Sequence, residues 1–190
     1  MKASDAATVF ALTDRELWLV TASAEGRRGG LIATYVSRAS LTAQVPRVLV
    51  GLAVYHHTRQ LIETSSALAM HLFGEEQLDW VWRFGLHSGR DADKLAGLNA
   101  QEGQTGSPLL TEALAWLDCR VEARVETGDR TVYLAEIVEA RVQRPGVPLT
   151  VKRVLQLAGA DRMAELNEQE QRDGAADVAL IGAWRQDRSG

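Results

Sequence analysis

Two clusters of hydrogen-bonding side chains stand out in the sequence, and neither is built for breaking a bond. Thr34, Ser37 and Ser40 place three small hydroxyls along one short stretch, with the guanidinium of Arg38 among them. Neutral hydroxyls, backbone N–H groups and an occasional guanidinium are the partners that phosphate and polyol groups need. His56, His57, Thr58 and Arg59 form the second cluster. It falls where a strand gives way to a helix, and the unpaired N–H groups of a helix start attract anions. Each cluster also has a plainer reading: a polar outer strand face for the first, and Thr58 as a simple helix cap for the second. Gly26-Arg27-Arg28-Gly29-Gly30 has the composition to cradle phosphate, but glycine serves hairpin turns for conformational reasons alone, and the turn is the preferred reading.

Nucleophilic and metal chemistry find little support. The single cysteine, Cys119, lies on the inward face of a predicted strand, whereas a thiolate nucleophile needs exposure and a neighbouring base. The four histidines are His56, His57, His71 and His87, and no Cys or carboxylate stands at zinc-like spacing around them. There is no Gly-x-Gly-x-x-Gly, Walker-type loop or Gly-x-Ser-x-Gly elbow. The reading therefore assigns no catalytic side chain and no metal.

The elements that must position these residues are mostly strands. Glu16 to Ser23 is rich in β-formers and ends in the turn-prone stretch from Ala24 to Gly30; Leu31 to Ser40 follows as its hairpin partner. Arg47 to Ala53 is a third strand, apolar enough to be covered on both faces. Thr58 to Ser66 predicts a short helix, and Ala67 to Phe73 a returning strand. From Glu75 the period changes: Leu78, Val81, Trp82, Gly85 and Leu86 make a helical stripe. Ser88-Gly89-Arg90 breaks it, and Asp91 caps a second helix carrying Leu95. Ala115 to Glu126 alternates over twelve residues, with Cys119 and its period-two mates buried and Trp116, Asp118 and Arg120 wet. Thr127 to Arg130 turns the chain, and Thr131 to Val142 runs back antiparallel. After Pro145-Gly146-Val147-Pro148 comes a helical segment interrupted near Gly159, then a polar stretch from Glu168 to Gly174, and an apolar anchor of Val178, Leu180, Ile181 and Trp184.

Length and composition bound the rest. A chain of 190 residues, 46% hydrophobic and 24% charged, fits one domain over 1–190, with a barrel core over about 16–150 and a C-terminal helical extension over 151–190. The net charge of -4, with basic residues scattered rather than striped, argues against nucleic acid as a partner. One cysteine cannot close an internal disulfide, which fits a cytoplasmic setting. The N-terminus lacks the long apolar region of a signal peptide, and no apolar run reaches the roughly 20 residues that a membrane span takes.

From Leu17 to Val142 the sequence resembles the flavin reductase-like, FMN-binding split-barrel family. LWLVTASAEGRRGGLIATYVSRASLTAQVPRVLVGLA is similar to the family's opening hairpin, Ser-rich flavin segment and following strand. HHTRQLIETSSALAMHLF is similar to its phosphate junction, short helix and strand. RFGLHSGRDADKLAGL resembles its "RFAG…DKF" region, and SPLLTEALAWLDCRVEARVETGDRTVYLAEIVEA its closing hairpin. The resemblance implies a mostly β fold, a Greek-key split barrel with added helices, assembled as a homodimer with FMN near the subunit interface. FAD is the alternative flavin, and NADH or NADPH the co-substrate. It places Thr34, Tyr35, Val36, Ser37, Arg38 and Ser40 along the flavin segment and His56, His57 and Thr58 at the phosphate junction. Arg90 and Lys94 fall in the helical region that approaches the cofactor.

Two departures shape the functional reading. Ser37-Arg38-Ala39-Ser40 stands where the family has Ser-Val-Ser, and Arg130 stands where many NADH-using reductases carry His. Arg130 contacts nicotinamide dinucleotide or flavin, or is a solvated turn residue; guanidinium binds phosphate bidentately. The resemblance implies an FMN-binding oxidoreductase: an NAD(P)H-dependent flavin reductase passing electrons to free flavin or to a flavin-dependent oxygenase. The alternative is an FMN-binding electron carrier or sensor without nicotinamide turnover, and a third reading is a flavin-free interaction module.

Overall fold

β-Branched and alternating segments become strands much as their patterns require, and glycines decide where helices pack on them. The computed structural model describes residues 3–87, 89–90 and 93–188. In chain order its elements are α1 (Ala3–Ala11), β1 (Trp18–Ala24), β2 (Arg27–Ala33), β3 (Val36–Arg38), β4 (Arg47–Ala53), α2 (His57–Ser65) and β5 (Ala67–Leu72). A 3-10 turn (Glu75–Gln77) then leads into α3 (Leu78–Gly85), β6 (Ala100–Glu102), β7 (Pro108–Leu110), β8 (Ala115–Glu126), β9 (Arg130–Val142), α4 (Val151–Leu157) and α5 (Ala160–Asp187). Seven strands form one curled antiparallel sheet in the order β2-β1-β5-β8-β9-β4-β3; β6 and β7 make a separate hairpin. This is the mostly β half-barrel with helices that the sequence predicts. No helix among the described residues is long and apolar enough to cross a membrane.

The inside of the curl holds one apolar core, centred on Val20, Leu31, Val50, Ile62, Met70 and Tyr133. A second core on the outer face gathers Leu19, Phe73, Trp80, Phe84, Leu110 and Leu149. Each such side chain fully removed from water contributes about 1.5–3 kcal/mol, so the two cores dominate stability. His71 sits between strands with no exposure; its Nδ1 is 3.0 Å from the Leu19 carbonyl oxygen, and the Leu110 N–H donates to its Nε2 at 3.0 Å. That pairing places the proton on Nδ1 and satisfies both nitrogens, while burial pushes the pKa down to about 4. Cys119 is fully buried too, and burial pushes its thiol up to about 12, as the inward strand position implies.

Several local expectations are corrected. The predicted turn from Ala24 to Gly30 contracts to Glu25-Gly26, with φ of 52° and 74°, and β2 begins at Arg27. Gly29 and Gly30 therefore lie in the strand. A Cβ on Gly30 would come within 2.9 Å of the Phe84 ring, so glycine is there to let α3 approach the sheet. The single strand expected from Leu31 to Ser40 breaks at Thr34-Tyr35: β2 pairs with β1, while β3 pairs with β4. Thr58 is not a cap. His56 occupies the cap position of α2 without a side-chain bond, and Thr58 is buried, its Oγ1 facing β2 at Gly29.

The second helix predicted around Leu95 does not form; residues 94–97 are turn, and its expected cap, Asp91, lies outside the described residues, as does Ser88. The buried face of α3 is Trp80, Val81 and Phe84, rotated from the predicted stripe. On β8 the expected wet residues Trp116 and Asp118 are buried, because the unanticipated β6–β7 hairpin covers that face; the Thr105 N–H donates to Asp118 Oδ2 at 3.0 Å. Beyond Val121 the strand is exposed on both sides, with Val125 62% exposed. The polar stretch from Glu168 to Gly174 does not interrupt α5, which runs unbroken, and α1 had no counterpart in the strand-centred reading.

Candidate functional site

A cavity of about 510 Å³ opens where the two ends of the curled sheet approach one another. Ala33, Thr34 and Tyr35 at the end of β2 face Gly51, Leu52 and Ala53 of β4 across it, Val81 and Leu86 close one side, and α5 passes along another. That size lies within the range of small-molecule and cofactor sites. Backbone bonds fix the walls. The Gly51 N–H donates to the Tyr35 carbonyl oxygen at 2.9 Å, and the Val54 N–H to that of Asp129 at 2.9 Å. The second bond holds the strand end carrying Tyr55 and His56 against the turn that precedes Arg130.

One end of the cavity is anionic. Arg130 is gripped on two sides: its Nε is 3.1 Å from Asp129 Oδ2, and its Nη2 donates to Asp177 Oδ2 at 3.0 Å. Its guanidinium lies 4.5 Å from the centre of the Tyr35 ring, a cation–π distance, and Arg15 approaches the same ring at 5.7 Å. Glu170, Asp173 and Asp177 of α5 line this end. Burial, and then the charges of Asp173 and Asp177, push the Tyr55 hydroxyl well above the usual phenol range, and it hydrogen-bonds Asp173. Tyr55 therefore stays protonated.

Beside the cavity lies a cationic cluster. The Arg90 Nη2 donates to the Tyr55 carbonyl oxygen at 3.1 Å, tying Arg90 to the strand-to-helix junction. A Cβ on Gly89 would lie 3.5 Å from both His57 Cδ2 and Lys94 Cε, so these three pack together. Lys94 is buried; its Nζ donates to the carbonyl oxygens of Phe84 at 3.1 Å and His87 at 3.0 Å. Burial lowers its pKa to about 8. His56 lines the cavity, and burial, then Lys94, hold its pKa at about 4, so the ring is neutral at neutral pH.

The structure divides the residues singled out in the sequence. Thr34, Tyr35, His56 and Arg130 line the cavity, while His57, Arg90 and Lys94 gather beside it. Thr58 is packed under β2. Val36 and Ser37 face a neighbouring groove that shares Thr34, Tyr35 and Arg130 with the cavity. Arg38 and Ser40 lie further off and stabilise their own loop: Arg38 Nε donates to the Ser40 carbonyl oxygen at 2.6 Å, and Ser40 Oγ to that of Val45 at 2.8 Å. The hydroxyls of one sequence cluster thus face different sides, because the chain kinks between β2 and β3. Sequence reasoning missed Tyr55, Arg15 and the acidic residues of α5. Tyr55 adjoins His56 and was within reach; Asp173 falls in the stretch read only as polar, Glu168 to Gly174, and Asp177 drew no reading. Among the described residues no group of three or more His, Cys, Asp and Glu could hold a metal ion.

The fold and cavity define a known class. The chain belongs to the flavin reductase like domain family, whose sequence model matches residues 11–154. It is 35% identical to the reductase component of 4-nitrophenol 4-monooxygenase/4-nitrocatechol 2-monooxygenase from Rhodococcus opacus, over 71% of this chain and 69% of that protein. It is 29% identical to ferric-chelate reductase (NAD(P)H) from Archaeoglobus fulgidus, over 70% of this chain and 79% of the relative. Among solved structures, nitrilotriacetate monooxygenase component B from Mycobacterium thermoresistibile superposes with a TM-score of 0.67 at 26% identity, covering 79% of this chain and 84% of that one. Other curated relatives are longer, and the chain spans 58% of one and 22% of another. The helix α5 begins after the matched segment ends.

Proposed function

We propose that this chain is a flavin reductase that holds FMN in the cavity and draws electrons from NADH or NADPH. FAD is the alternative flavin. The observation that carries the reading is a family-matched fold whose cavity is lined by aromatic Tyr35 and Tyr55 and has a cationic cluster of His57, Arg90 and Lys94 beside it. A ring with a phosphate tail needs both environments. Thr34 and His56 line the cavity and would bond the polyol chain, and Arg90 and Lys94 would seat the phosphate. When bound, the flavin supplies the redox chemistry; the chain's own residues bind it, orient it and exclude water. No side chain of the cavity is assigned as general acid or nucleophile.

The names of the relatives support the electron acceptor. Electrons pass to free flavin or to a partner oxygenase, as befits a chain similar to monooxygenase reductase components. The chain acts as one domain over 1–190 in the cytoplasm, as a homodimer with the flavin near the subunit interface, to which the half-exposed Tyr35 and the adjoining Val36–Ser37 groove contribute. The purified protein loaded with FMN is expected to oxidise NADH or NADPH faster than free FMN does; equal rates would remove the assignment.

One observation favours a second reading, an FMN-binding electron carrier or sensor without nicotinamide turnover. Arg130, which stands where many NADH-using reductases carry His, is already held by Asp129 and Asp177. Saturable NADH binding that is lost in Arg130→Ala would exclude the carrier.

A further inference from the structure

The positive charge that Ser37-Arg38-Ala39-Ser40 brings to the family's Ser-Val-Ser segment lies outside the cavity proposed for the flavin. Arg38 and Arg47 instead line a separate cavity of about 380 Å³, which shares no residue with the larger one. Its apolar lining includes Trp18 of β1, Val36 of β3, Leu117 of β8 and Ile137 of β9, all partly buried against the inner core. Trp18 and Val36 also face the groove beside the larger cavity. The loop between β3 and β4 completes the lining, and side chains fix its shape. Ser40 Oγ donates to the Val45 carbonyl oxygen at 2.8 Å and accepts from the Arg47 N–H at 2.9 Å. Arg38 binds the carbonyl oxygens of Ser40 and Leu41 at 2.6 and 2.7 Å.

The charge at this second cavity is not balanced. Arg38 spends its donors on neutral carbonyl groups, and no carboxylate pairs with it among the described residues. Arg47 meets one carboxylate, with its Nη1 3.4 Å from Glu122 Oε2. Glu136 stands opposite Arg47 in the β4–β9 register but makes no ion pair with it. Neither glutamate lines the cavity, whose only ionisable lining residues are the two arginines. Arg47 Nε is buried with no hydrogen-bond partner among the described residues. A buried donor left without an acceptor carries a desolvation cost, so this nitrogen is satisfied only when something brings an acceptor to it. Nε and the adjoining Nη2 form the guanidinium edge that clasps a carboxylate through two parallel bonds. We infer that this cavity is a binding site for a small carboxylic acid with an apolar body. The body packs on Trp18, Val36, Leu117 and Ile137, and the carboxylate is held by Arg47, with Arg38 adding positive potential. The cavity lies at the small end of the range for small-molecule sites, which suits one ring or a short chain. The inference goes beyond the flavin reading and does not depend on it.

Three probes separate body from charge: phenylbutyrate, its uncharged amide and acetate. Their dissociation constants are measured by calorimetry on the full chain, without FMN and with FMN in excess. Phenylbutyrate is expected to bind saturably, one per chain, at least about tenfold more tightly than the amide, as a charge-assisted bond requires. Acetate, which lacks the body, shows no saturable binding. In Arg47→Gln the preference for the acid over the amide falls about tenfold toward unity. Arg47→Lys keeps the charge without the fork and restores only part of it. Arg162→Gln removes a partly exposed cation of α5 and leaves the preference in place. Phenylbutyrate raises the melting temperature of the parent, as a ligand of the native state must, and the rise is lost in Arg47→Gln. The inference is overturned if phenylbutyrate does not bind or if the amide or acetate binds as tightly. It is also overturned if the preference survives in Arg47→Gln, or if excess FMN displaces phenylbutyrate, which would put the probe in the larger cavity. A chain that binds phenylbutyrate in this way but never FMN would remove the flavin reading and leave this site standing.

Discussion

Arg130 Nη2 lies 3.0 Å from Asp177 Oδ2, joining the start of β9 to the C-terminal helix at the wall of the cavity. The pair does two things at once. It docks a helix that has no fully buried side chain of its own, and it neutralises the cation that the sequence marks as the family's point of departure.

The first prediction concerns that docking. Both side chains are mostly covered, at 23% and 18% exposure, so the pair should couple more strongly than an open surface bridge. A double-mutant cycle of Arg130→Ala and Asp177→Ala is expected to give a coupling of about 1 kcal/mol in urea unfolding. Arg130→Ala alone should cost more, since it leaves Asp177 facing Asp129 and Asp173 uncompensated. Strict additivity would mean the contact does not hold α5.

The second concerns pH. His71 and His56 both have native pKa values of about 4, well below the ordinary 6.5. For such groups the unfolded chain takes up protons first as pH falls. Their contribution to stability is therefore complete above about 6.5, declines between 6.5 and about 4, and is gone below. His71 alone can account for up to about 3 kcal/mol over that window. Gln in place of His71 keeps a donor for Leu19 and an acceptor for Leu110. The variant should lose distinctly less stability than the parent between pH 7 and pH 4.5, about one proton's worth. Parallel pH profiles for the two proteins would contradict this.

The third concerns packing. Gly30→Ala places a methyl 2.9 Å from the Phe84 ring, and the strand and α3 are both too constrained to separate freely. A loss of about 1–3 kcal/mol is expected. Phe84→Leu should recover part of it in the double variant, although alone it destabilises. A Gly30→Ala protein as stable as the parent would show that α3 does not press on this strand.

The fourth concerns the cationic cluster beside the cavity. Burial holds Lys94 at about 8, so its ammonium is half lost near that pH before any ligand binds. If it contributes to seating the FMN phosphate, FMN affinity should be highest below about 8 and fall as pH rises through it. Lys94→Gln should weaken binding about tenfold and flatten that dependence. Fluorescence titration of FMN from pH 6.5 to 9.5 measures both; a pH-independent affinity in the parent would place the phosphate elsewhere.

Much of the sheet was legible because its signal is local. The alternation of Ala115 to Glu126 and the apolar run of Arg47 to Ala53 gave β8 and β4 at their observed limits. What failed depended on contacts distant in sequence. Trp116 and Asp118 obey the alternation but are buried by a hairpin whose three-residue strands carry no period of their own. Gly29 and Gly30 are indistinguishable from turn glycines until α2 and α3 are packed over them. At the site, Thr34, Tyr35, His56 and Arg130 were identified and do converge, but Ser40 and Arg38 are consumed by their own loop. Asp173 and Asp177 escaped notice because their weight comes from facing Tyr55 and Arg130, and nothing in a polar helical stretch announces its neighbours.

The central claim is that this cavity holds a flavin that nicotinamide nucleotide can reduce. The most direct measurement is the visible absorption spectrum of the purified protein with FMN, taken anaerobically before and after NADH or NADPH. The account predicts a protein-bound flavin band that bleaches faster than free FMN, and a rise in melting temperature with FMN concentration, as a ligand of the native state requires. A colourless protein whose melting temperature is unmoved by excess FMN would contradict it.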